Sequence, residues 1–255
     1  MGTFAAMTGM WAAIPILAQA AVIAWLSAMI ALPLIRQVWG EQAIRWGTTA
    51  GVLFQDAAVL IVLGTAWGWS KTALVAAAVA AMGWGIEFLG SHTGIPFGRY
   101  HYTDRLQPQL GRVPLLIPLA WLMMLPPSWA IADLIAGNHK LAFILVSALA
   151  MTAWDFFLDP QMVDWGFWAW ENPGGYCLKC ASGGIPWTNF VGWALASGLM
   201  TTILNPGNLP TTSLVLIYAL TWILETIGLG MFWKQPYPAL IGFVSMGGML
   251  AWAWL

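Results

Sequence analysis

The sequence predicts an all-α integral membrane protein, with residues 1–255 forming one domain built as a bundle of about eight transmembrane helices. Sixty per cent of the residues are apolar, 7% are charged, and the mean hydropathy is +0.75, whereas soluble domains carry about 25% charged residues. Because about 20 apolar residues cross a bilayer core as one helix, a chain of 255 residues has room for roughly seven or eight crossings. No hydrophilic block is long enough to fold as a second domain.

Breaks in hydropathy at charged residues and at Pro/Gly clusters place the individual helices. The predicted spans cover residues 11–35, 46–69, 72–90, 113–135, 141–158, 187–204, 212–232 and 236–255. We expect the first span to be retained, because the N-terminus lacks the basic region and the cleavage pattern of a secretory signal. Pro126 and Pro127 lie inside the fourth span and are expected to kink it, since neither donates a backbone hydrogen bond.

Lys and Arg residues are distributed unequally between the two sets of connections. The odd connections hold seven of them, and the opposite face, termini included, holds two. The positive-inside rule then predicts a multi-pass protein of the plasma (inner) membrane with both termini outside and the odd loops in the cytoplasm. Two of these cytoplasmic loops, 91–112 and 159–186, carry the sequence motifs. A net charge of -1 without a Lys/Arg-rich run argues against nucleic acid as a partner.

Carboxylates within the predicted spans are the first candidates for function, because charges in lipid are costly and are usually functional or paired. They are Asp56, Glu87, Asp155 and Glu225, with Asp159 at the end of the fifth span. All except Asp56 fall in the cytoplasmic half of the bilayer, which suggests one polar chamber that opens toward loop 91–112. Asp56 lies at a different depth and is interpreted as structural.

Asp155 and Asp159 are four residues apart and therefore project from the same face of a helix. Two carboxyls held close together in an apolar setting tend to share a proton, because burial and mutual repulsion both disfavour a second charge. The pair would then supply a neutral acid at pH 7. In the alternative interpretation each carboxylate pairs with an arginine of loop 91–112 and only stabilises the bundle; the candidates are Arg99, Arg105 and Arg112.

Metal and cofactor sites are not expected. His92, His101 and Asp104 could ligate a metal, but their spacing matches no common site. Three histidines are too few for the histidine boxes of membrane di-iron enzymes, and no phosphate-binding or dinucleotide glycine motif is present. Cys177 and Cys180 form a single C-x-x-C, interpreted as a non-catalytic pair, either a disulfide or free thiols.

Membrane prenyltransferases, which bind a diphosphate through magnesium, are an alternative class. The spacing Asp155-x-x-x-Asp159 resembles half of their aspartate-rich signature. The first, asparagine–aspartate motif has no counterpart in the earlier spans, so a magnesium–diphosphate site would lack ligands.

Four long motifs resemble the CruF-type carotenoid 1,2-hydratases of bacteria and archaea. They are EFLGSHTGIPFGRYHYTD at 87–104, QPQLGRVPLLIPLAW at 107–121, TAWDFFLDPQMV at 152–163 and GIPWTNFVGW at 184–193. The resemblance implies a cofactor-free addition of water to the terminal 1,2 (or 1′,2′) double bond of an acyclic carotenoid ψ-end, which gives a tertiary alcohol. It further implies substrates such as γ-carotene or lycopene, contact with membrane lipids, and other carotenoid-pathway enzymes as partners.

That reaction needs an acid to protonate C2, a stabiliser for the cation formed at C1, and an acceptor for the proton of the attacking water. We expect Asp155 or Asp159 to be the acid, and Glu87 or Asp104 to orient the water. The remaining expected site residues are the aromatic Trp84, Trp154, Tyr100 and Tyr102, the pocket-tuning Arg99 and His92, and the substrate-binding Glu225 and Asn189. A non-catalytic carotenoid-binding scaffold and a proton-relay transporter are further alternatives.

Overall fold

The structure, a computed structural model, describes residues 8–175, 177–180 and 182–255, without the side chain of Cys180. Long α-helices dominate this part of the chain. They are α1 (Ile16–Trp39), α2 (Glu41–Trp67), α3 (Trp69–Thr93), α4 (Leu116–Ala136), α5 (Lys140–Asp164), α6 (Trp187–Leu204), α7 (Thr211–Ile227, extended by a π-helical turn Gly228–Phe232) and α8 (Pro236–Ala253).

Six of these helices are long and apolar enough to cross a bilayer: α1 to α5, and α7 together with its π turn. The protein is therefore an all-α membrane protein, as the sequence predicts. Helices α6 and α8 have 18 residues each and do not reach the same apolarity, so the predicted count of eight spans stays a prediction. In lipid the helices satisfy their own backbone hydrogen bonds, which explains why segments with so few polar residues adopt this structure.

Single glycines join the first three helices. Gly40 separates α1 from α2 and Gly68 separates α2 from α3, with φ angles of 57° and 82°. A positive φ reverses the chain within one residue, and glycine adopts it without steric cost. Consecutive helices are thus held close and antiparallel.

Short antiparallel strands occupy the two motif-bearing loops. Strand β1 (Tyr100–Tyr102) follows α3 and pairs with β4 (Trp168–Trp170), which follows α5. The other two pairs are local: β2 (Gln109–Leu110) with β3 (Val113–Pro114), and β5 (Cys177–Cys180) with β6 (Gly183–Pro186). The β1–β4 pair fastens the two loops together at one end of the bundle, which we call the sheet end.

The first and last odd connections also lie at the sheet end. Glu41 of the α1–α2 junction contacts Arg105 of the α3–α4 loop at 3.5 Å, and the Arg36 guanidinium lies 5.2 Å from the centre of the Trp233 ring. At the opposite end Lys71 donates to the Pro206 carbonyl at 3.0 Å. Successive helices therefore alternate in direction through the described chain.

Helix α4 lies at the centre of the bundle and packs against α2, α3, α5, α7 and α8. It continues to Ala136 through the buried Pro126 and Pro127, and the expected kink stays a prediction. Because Pro127 has no N–H, the Met123 carbonyl lacks its usual helical partner. The Gln55 amide of α2 approaches that carbonyl at 3.5 Å, which partly replaces the missing bond.

Helix α5 is longer than expected. The predicted fifth span ends at residue 158, yet the helix continues through Pro160 to Asp164. The last turn, including Pro160, Gln161, Met162 and Val163, is buried. Burial of this turn against the loop strands offsets the loss of one helical hydrogen bond at Pro160.

Candidate functional site

A cavity of about 1010 Å³, including the space at its mouth, extends from the sheet end into the bundle. Its walls are mainly aromatic and aliphatic. Carboxyls from three different helices line it: Glu87 of α3, Asp159 of α5 and Glu225 of α7. The deepest polar side chain is Gln55, 14 residues into α2, which corresponds to a depth of roughly 21 Å at 1.5 Å per residue.

Glu87 accepts hydrogen bonds from three fixed donors. Its Oε2 accepts from the Tyr100 phenol at 2.5 Å and from the Tyr102 phenol at 2.7 Å. Its Oε1 accepts from the indole N–H of Trp121 at 3.1 Å. An indole nitrogen can only donate, so Glu87 functions as an acceptor, and its carboxyl group is locked in one orientation.

The two phenols remain protonated donors. Burial raises the pKa of Tyr100 and Tyr102 well above the usual value near 10, and the neighbouring Glu87 raises both further. Strand β1 places alternate side chains on one face, which is why Tyr100 and Tyr102 reach the same carboxyl while His101 between them is exposed. Loop 91–112 thus folds back over the cavity and places both phenols in its wall.

Asp155 and Asp159 form a dyad held by one amide. The Asn189 side-chain nitrogen donates to Asp155 Oδ2 at 2.9 Å and also donates to Asp159 Oδ2. Asp159 Oδ1 accepts from the Trp168 indole of β4 at 3.0 Å. Both aspartates are buried, and Asp155 Oδ1 has no partner among the described residues. Asn189 thus uses both of its N–H hydrogens to hold two acids together.

Arginine does not neutralise these acids. Within the described residues the ion pairs are Arg36–Glu41 and Arg105–Glu41, both exposed. Arg105 also donates to the Trp165 carbonyl at 2.5 Å. The alternative in which Arg99, Arg105 or Arg112 pairs with the buried aspartates is therefore wrong for the described chain, because all three arginines are exposed and none forms an ion pair with Asp155 or Asp159.

Glu225 lies partly buried in the cavity wall. Its Oε2 accepts from the Gln161 side-chain amide of α5 at 3.2 Å, and no other described side chain bonds to it. It is thus held far less tightly than Glu87 or Asp159.

Tryptophans build the apolar walls. The rings of Trp121 and Trp193 stack with centroids 4.3 Å apart, and Trp154 meets Trp193 edge-on at 6.0 Å. Trp154 is buried, lines the cavity, and its Nε1 has no partner among the described residues.

Four expected site residues lie elsewhere. Trp84, His92, Arg99 and Asp104 are absent from the cavity lining, and all but the half-buried Trp84 are exposed. Trp84 donates to the Leu110 carbonyl at 3.1 Å and His92 contacts the Phe88 carbonyl at 2.8 Å, so both brace the end of α3. These residues are close to the acids in sequence, but they lie at loop tips or on the outer face of α3, so their side chains do not reach the cavity.

Two further expectations concern residues outside the cavity. Asp56 is buried, and neither carboxyl oxygen has a partner among the described residues; this gives no support to its interpretation as a structural anchor. The Cys177–Cys180 pair falls partly outside the described residues, since the Cys180 side chain is not described. In the described parts of the chain, no group of three or more His, Cys, Asp or Glu side chains is arranged to hold a metal ion.

Sequence reasoning missed several lining residues. They are Trp121, Trp193, Trp168, Gln161 and Gln55. Trp121 and Trp193 stand at the ends of two of the long motifs and Trp168 in the aromatic run 164–171, so the motifs themselves contained that information. Gln55 is a polar residue beside Asp56 inside a predicted span, and its depth alone could have marked it.

The fold and the site define an integral membrane protein with an aromatic cavity, lined by carboxyls that form no ion pair within the described residues. Comparison with known protein families identifies the family: the chain belongs to the carotenoid biosynthesis protein family, whose model matches residues 47–249. The family indicated by the motifs is thereby confirmed.

A curated relative is the bisanhydrobacterioruberin hydratase of Haloarcula japonica, which is 31% identical over 141 residues. The alignment covers 54% of this chain and 46% of the relative, so it spans about half of each protein. No solved structure matches the chain.

Proposed function

We propose that this protein is a carotenoid 1,2 (1′,2′)-hydratase, which adds water to the terminal double bond of an acyclic ψ-end such as that of γ-carotene or lycopene. The observation that carries the proposal is the buried Asp155–Asp159 dyad beside an aromatic cavity, with no arginine paired to it within the described chain. The family membership and the hydratase name of the relative support hydration as the reaction.

The dyad supplies the proton. Two carboxyls that share the Asn189 amide in a dry site are stable when one proton lies between them. Of the two, Asp159 lines the cavity directly and Asp155 stands behind it, so Asp159 delivers the proton to C2 and Asp155 shares the resulting charge. Protonation of C2 uses the electron pair of the double bond and leaves a tertiary cation at C1.

The walls stabilise that cation. Trp121, Trp193 and Trp154 present aromatic surface to the cavity, and each cation–π contact contributes about 0.5–2 kcal/mol. Glu87, fixed by its three donors, provides a negative charge that needs no reorientation when the cation forms. Water then captures C1 and gives the tertiary alcohol.

The shape of the site suits a polyene. The cavity reaches Gln55, near the middle of the 27-residue helix α2, so the ψ-end would lie near the acids while the remaining chain extends between the helices. The reaction is redox-neutral and transfers no group besides water, which is why we propose that it needs no cofactor.

We further propose eight spans in the plasma membrane, with both termini outside and the sheet end in the cytoplasm. The described chain contains eight long helices that alternate in direction, which supports an even number of crossings. The excess of Lys and Arg in the odd connections supports the orientation.

An isotope experiment tests the reaction. Membranes containing the protein, treated with a chelator and given lycopene in ¹⁸O-labelled water, should yield an alcohol 20 mass units heavier than lycopene, the mass of one labelled water. In a parallel assay with ¹⁸O₂ and ordinary water, an alcohol that carries the label would refute hydration in favour of oxidation. Loss of product after chelation would point to a magnesium-dependent enzyme. Binding of lycopene with no product from an intact protein would indicate a carrier.

A further inference from the structure

We propose that Glu225, held by Gln161, is the base that takes the proton from the attacking water. This inference deepens the hydration proposed above and rests on it. It assigns to Glu225 the water-orienting role that the sequence places at Glu87 or Asp104.

The carboxylates that line the cavity differ in how many of their hydrogen-bond acceptor positions are still free. An ionised carboxylate has about four acceptor positions. Glu87 has three of these occupied by Tyr100, Tyr102 and Trp121. Glu225 accepts from Gln161 alone among the described residues. Glu225 therefore retains the most acceptor positions with which to bind a water molecule.

The helical positions on α5 place the acid and the base on different flanks. Leu158, Asp159, Gln161 and Met162 all line the cavity. At 100° per residue, Leu158 and Met162 form a central apolar strip, and Asp159 and Gln161 lie on either side of it, about 160° apart. A terminal double bond lying over this strip faces Asp159 on one side and the Gln161–Glu225 pair on the other.

Access of water distinguishes Glu225 further. Glu87 and Asp159 are 4% and 2% exposed, whereas Glu225 is only partly buried. We therefore expect the water consumed by the reaction to enter the cavity beside Glu225, while the acid dyad stays dry.

The proton balance closes with this assignment. The carboxyl proton of the dyad forms the new C2–H bond, and the π electron pair supplies that bond. A lone pair of water forms the C1–O bond, and the released proton goes to the Glu225 carboxylate. Exchange with bulk water returns Glu225 to its charged form and the dyad to its protonated form.

The test separates proton transfer from water capture. The protein is assayed with lycopene in ²H₂O, and both the alcohol and the deuterium in recovered lycopene are measured. In Glu225→Gln the alcohol should fall by about 100-fold or more. Recovered lycopene should still gain deuterium at C2, because the cation forms and returns its proton to the dyad. Asp159→Asn should lose both signals.

Matched variants complete the design. Glu171→Gln changes an exposed glutamate and should leave both readouts at the wild-type level. Gln161→Leu removes the single bond to Glu225 and should lower the alcohol about tenfold while deuterium exchange persists; it decides the question if Glu225→Gln does not fold.

Two results would overturn the inference. Wild-type alcohol formation by a folded Glu225→Gln protein would show that another group activates water. Loss of deuterium exchange together with the alcohol would place Glu225 in the acid step or the scaffold. Absence of alcohol from the wild-type protein would instead refute the hydratase proposal itself.

Discussion

The indole rings of Trp121 and Trp193 lie face to face, with centroids 4.3 Å apart and 10° between their planes. The N–H of Trp121 donates at the same time to Glu87. A donor bonded to a carboxylate shifts electron density into its ring, so this stacked pair offers a more negative face than an isolated tryptophan. The hydrogen bond thus connects the Glu87 carboxyl to the aromatic wall that would meet a cation.

Replacement of Trp193 should slow the reaction without preventing substrate binding. We expect Trp193→Leu to lower kcat by roughly 2- to 30-fold, equivalent to the 0.5–2 kcal/mol of one cation–π contact. Trp193→Phe should retain part of the rate because an aromatic face remains. Turnover of lycopene, measured by chromatography, checks this. Trp69→Leu, at an exposed position, is the control, and equal rates for the Leu and Phe variants would contradict the role of the ring.

Substitution of Asn189 should lower activity as much as substitution of the two aspartates that it holds. Asn189→Leu removes both hydrogen bonds from the side-chain amide to the dyad. Buried polar groups left without partners cost about 1–3 kcal/mol each. We expect lower thermal stability and a loss of product of about 100-fold or more, since a misaligned acid loses most of its general-acid advantage. Asn172→Leu alters an exposed asparagine and should change neither quantity. Full activity in a folded Asn189→Leu protein would contradict the shared-amide arrangement.

Tyr100 and Tyr102 donate to the same oxygen of Glu87, so their contributions to stability should not be independent. Tyr100→Phe and Tyr102→Phe each remove a hydrogen bond to Glu87 Oε2, worth about 1.5–3 kcal/mol for a charged acceptor. Because both donors share that oxygen, the double variant should lose an amount different from the sum of the single losses. Thermal unfolding in detergent measures the losses, with the exposed Tyr237→Phe as control. Strict additivity would indicate two independent contacts.

A pair of glycines on α8 tests the packing of the bundle. A Cβ at Gly242 would lie 2.5 Å from the Phe157 ring of α5, whereas a Cβ at Gly248 meets nothing within 4 Å. We expect Gly242→Ala to destabilise the protein by about 1–3 kcal/mol through overpacking. Gly248→Ala should be neutral or stabilising, because alanine favours the helix. Equal melting temperatures for the two variants would show that α8 does not pack on α5 in this way.

The orientation is tested by labelling cysteines in whole cells. In a chain with both native cysteines replaced by serine, Lys140→Cys should react with an impermeant thiol reagent added from outside. Lys179→Cys, near the sheet end, should react only after the membrane is permeabilised, because the positive-inside rule places that end in the cytoplasm. The reverse pattern would invert the topology.

Much of the architecture followed from hydropathy alone. The sixth predicted span, residues 187–204, has the same bounds as helix α6, because Pro186 and Asn205 flank a run without charged residues. The predicted fifth span ends too early, because Asp159 and Pro160 interrupt the apolar run after residue 158. Burial of the following turn keeps the chain helical there, although proline usually ends a helix.

The site was accessible only in part. Membrane depth was enough to bring Glu87, Asp155, Asp159 and Glu225 to attention, because buried charge is rare whatever the fold. The contacts of β1 with β4 depend on residues about 70 positions apart, and no local pattern encodes such pairing. For that reason the contact of Trp168 with Asp159 and the exposure of Arg99 could be learned only from the structure.

The most direct test of the proposed mechanism is an experimental structure of the protein with lycopene bound. We expect the terminal double bond inside the cavity, with C2 within about 3–3.5 Å of an Asp159 carboxyl oxygen and C1 on the side facing Glu225. A polyene bound along the lipid-facing surface, with its end remote from the dyad, would contradict the mechanism.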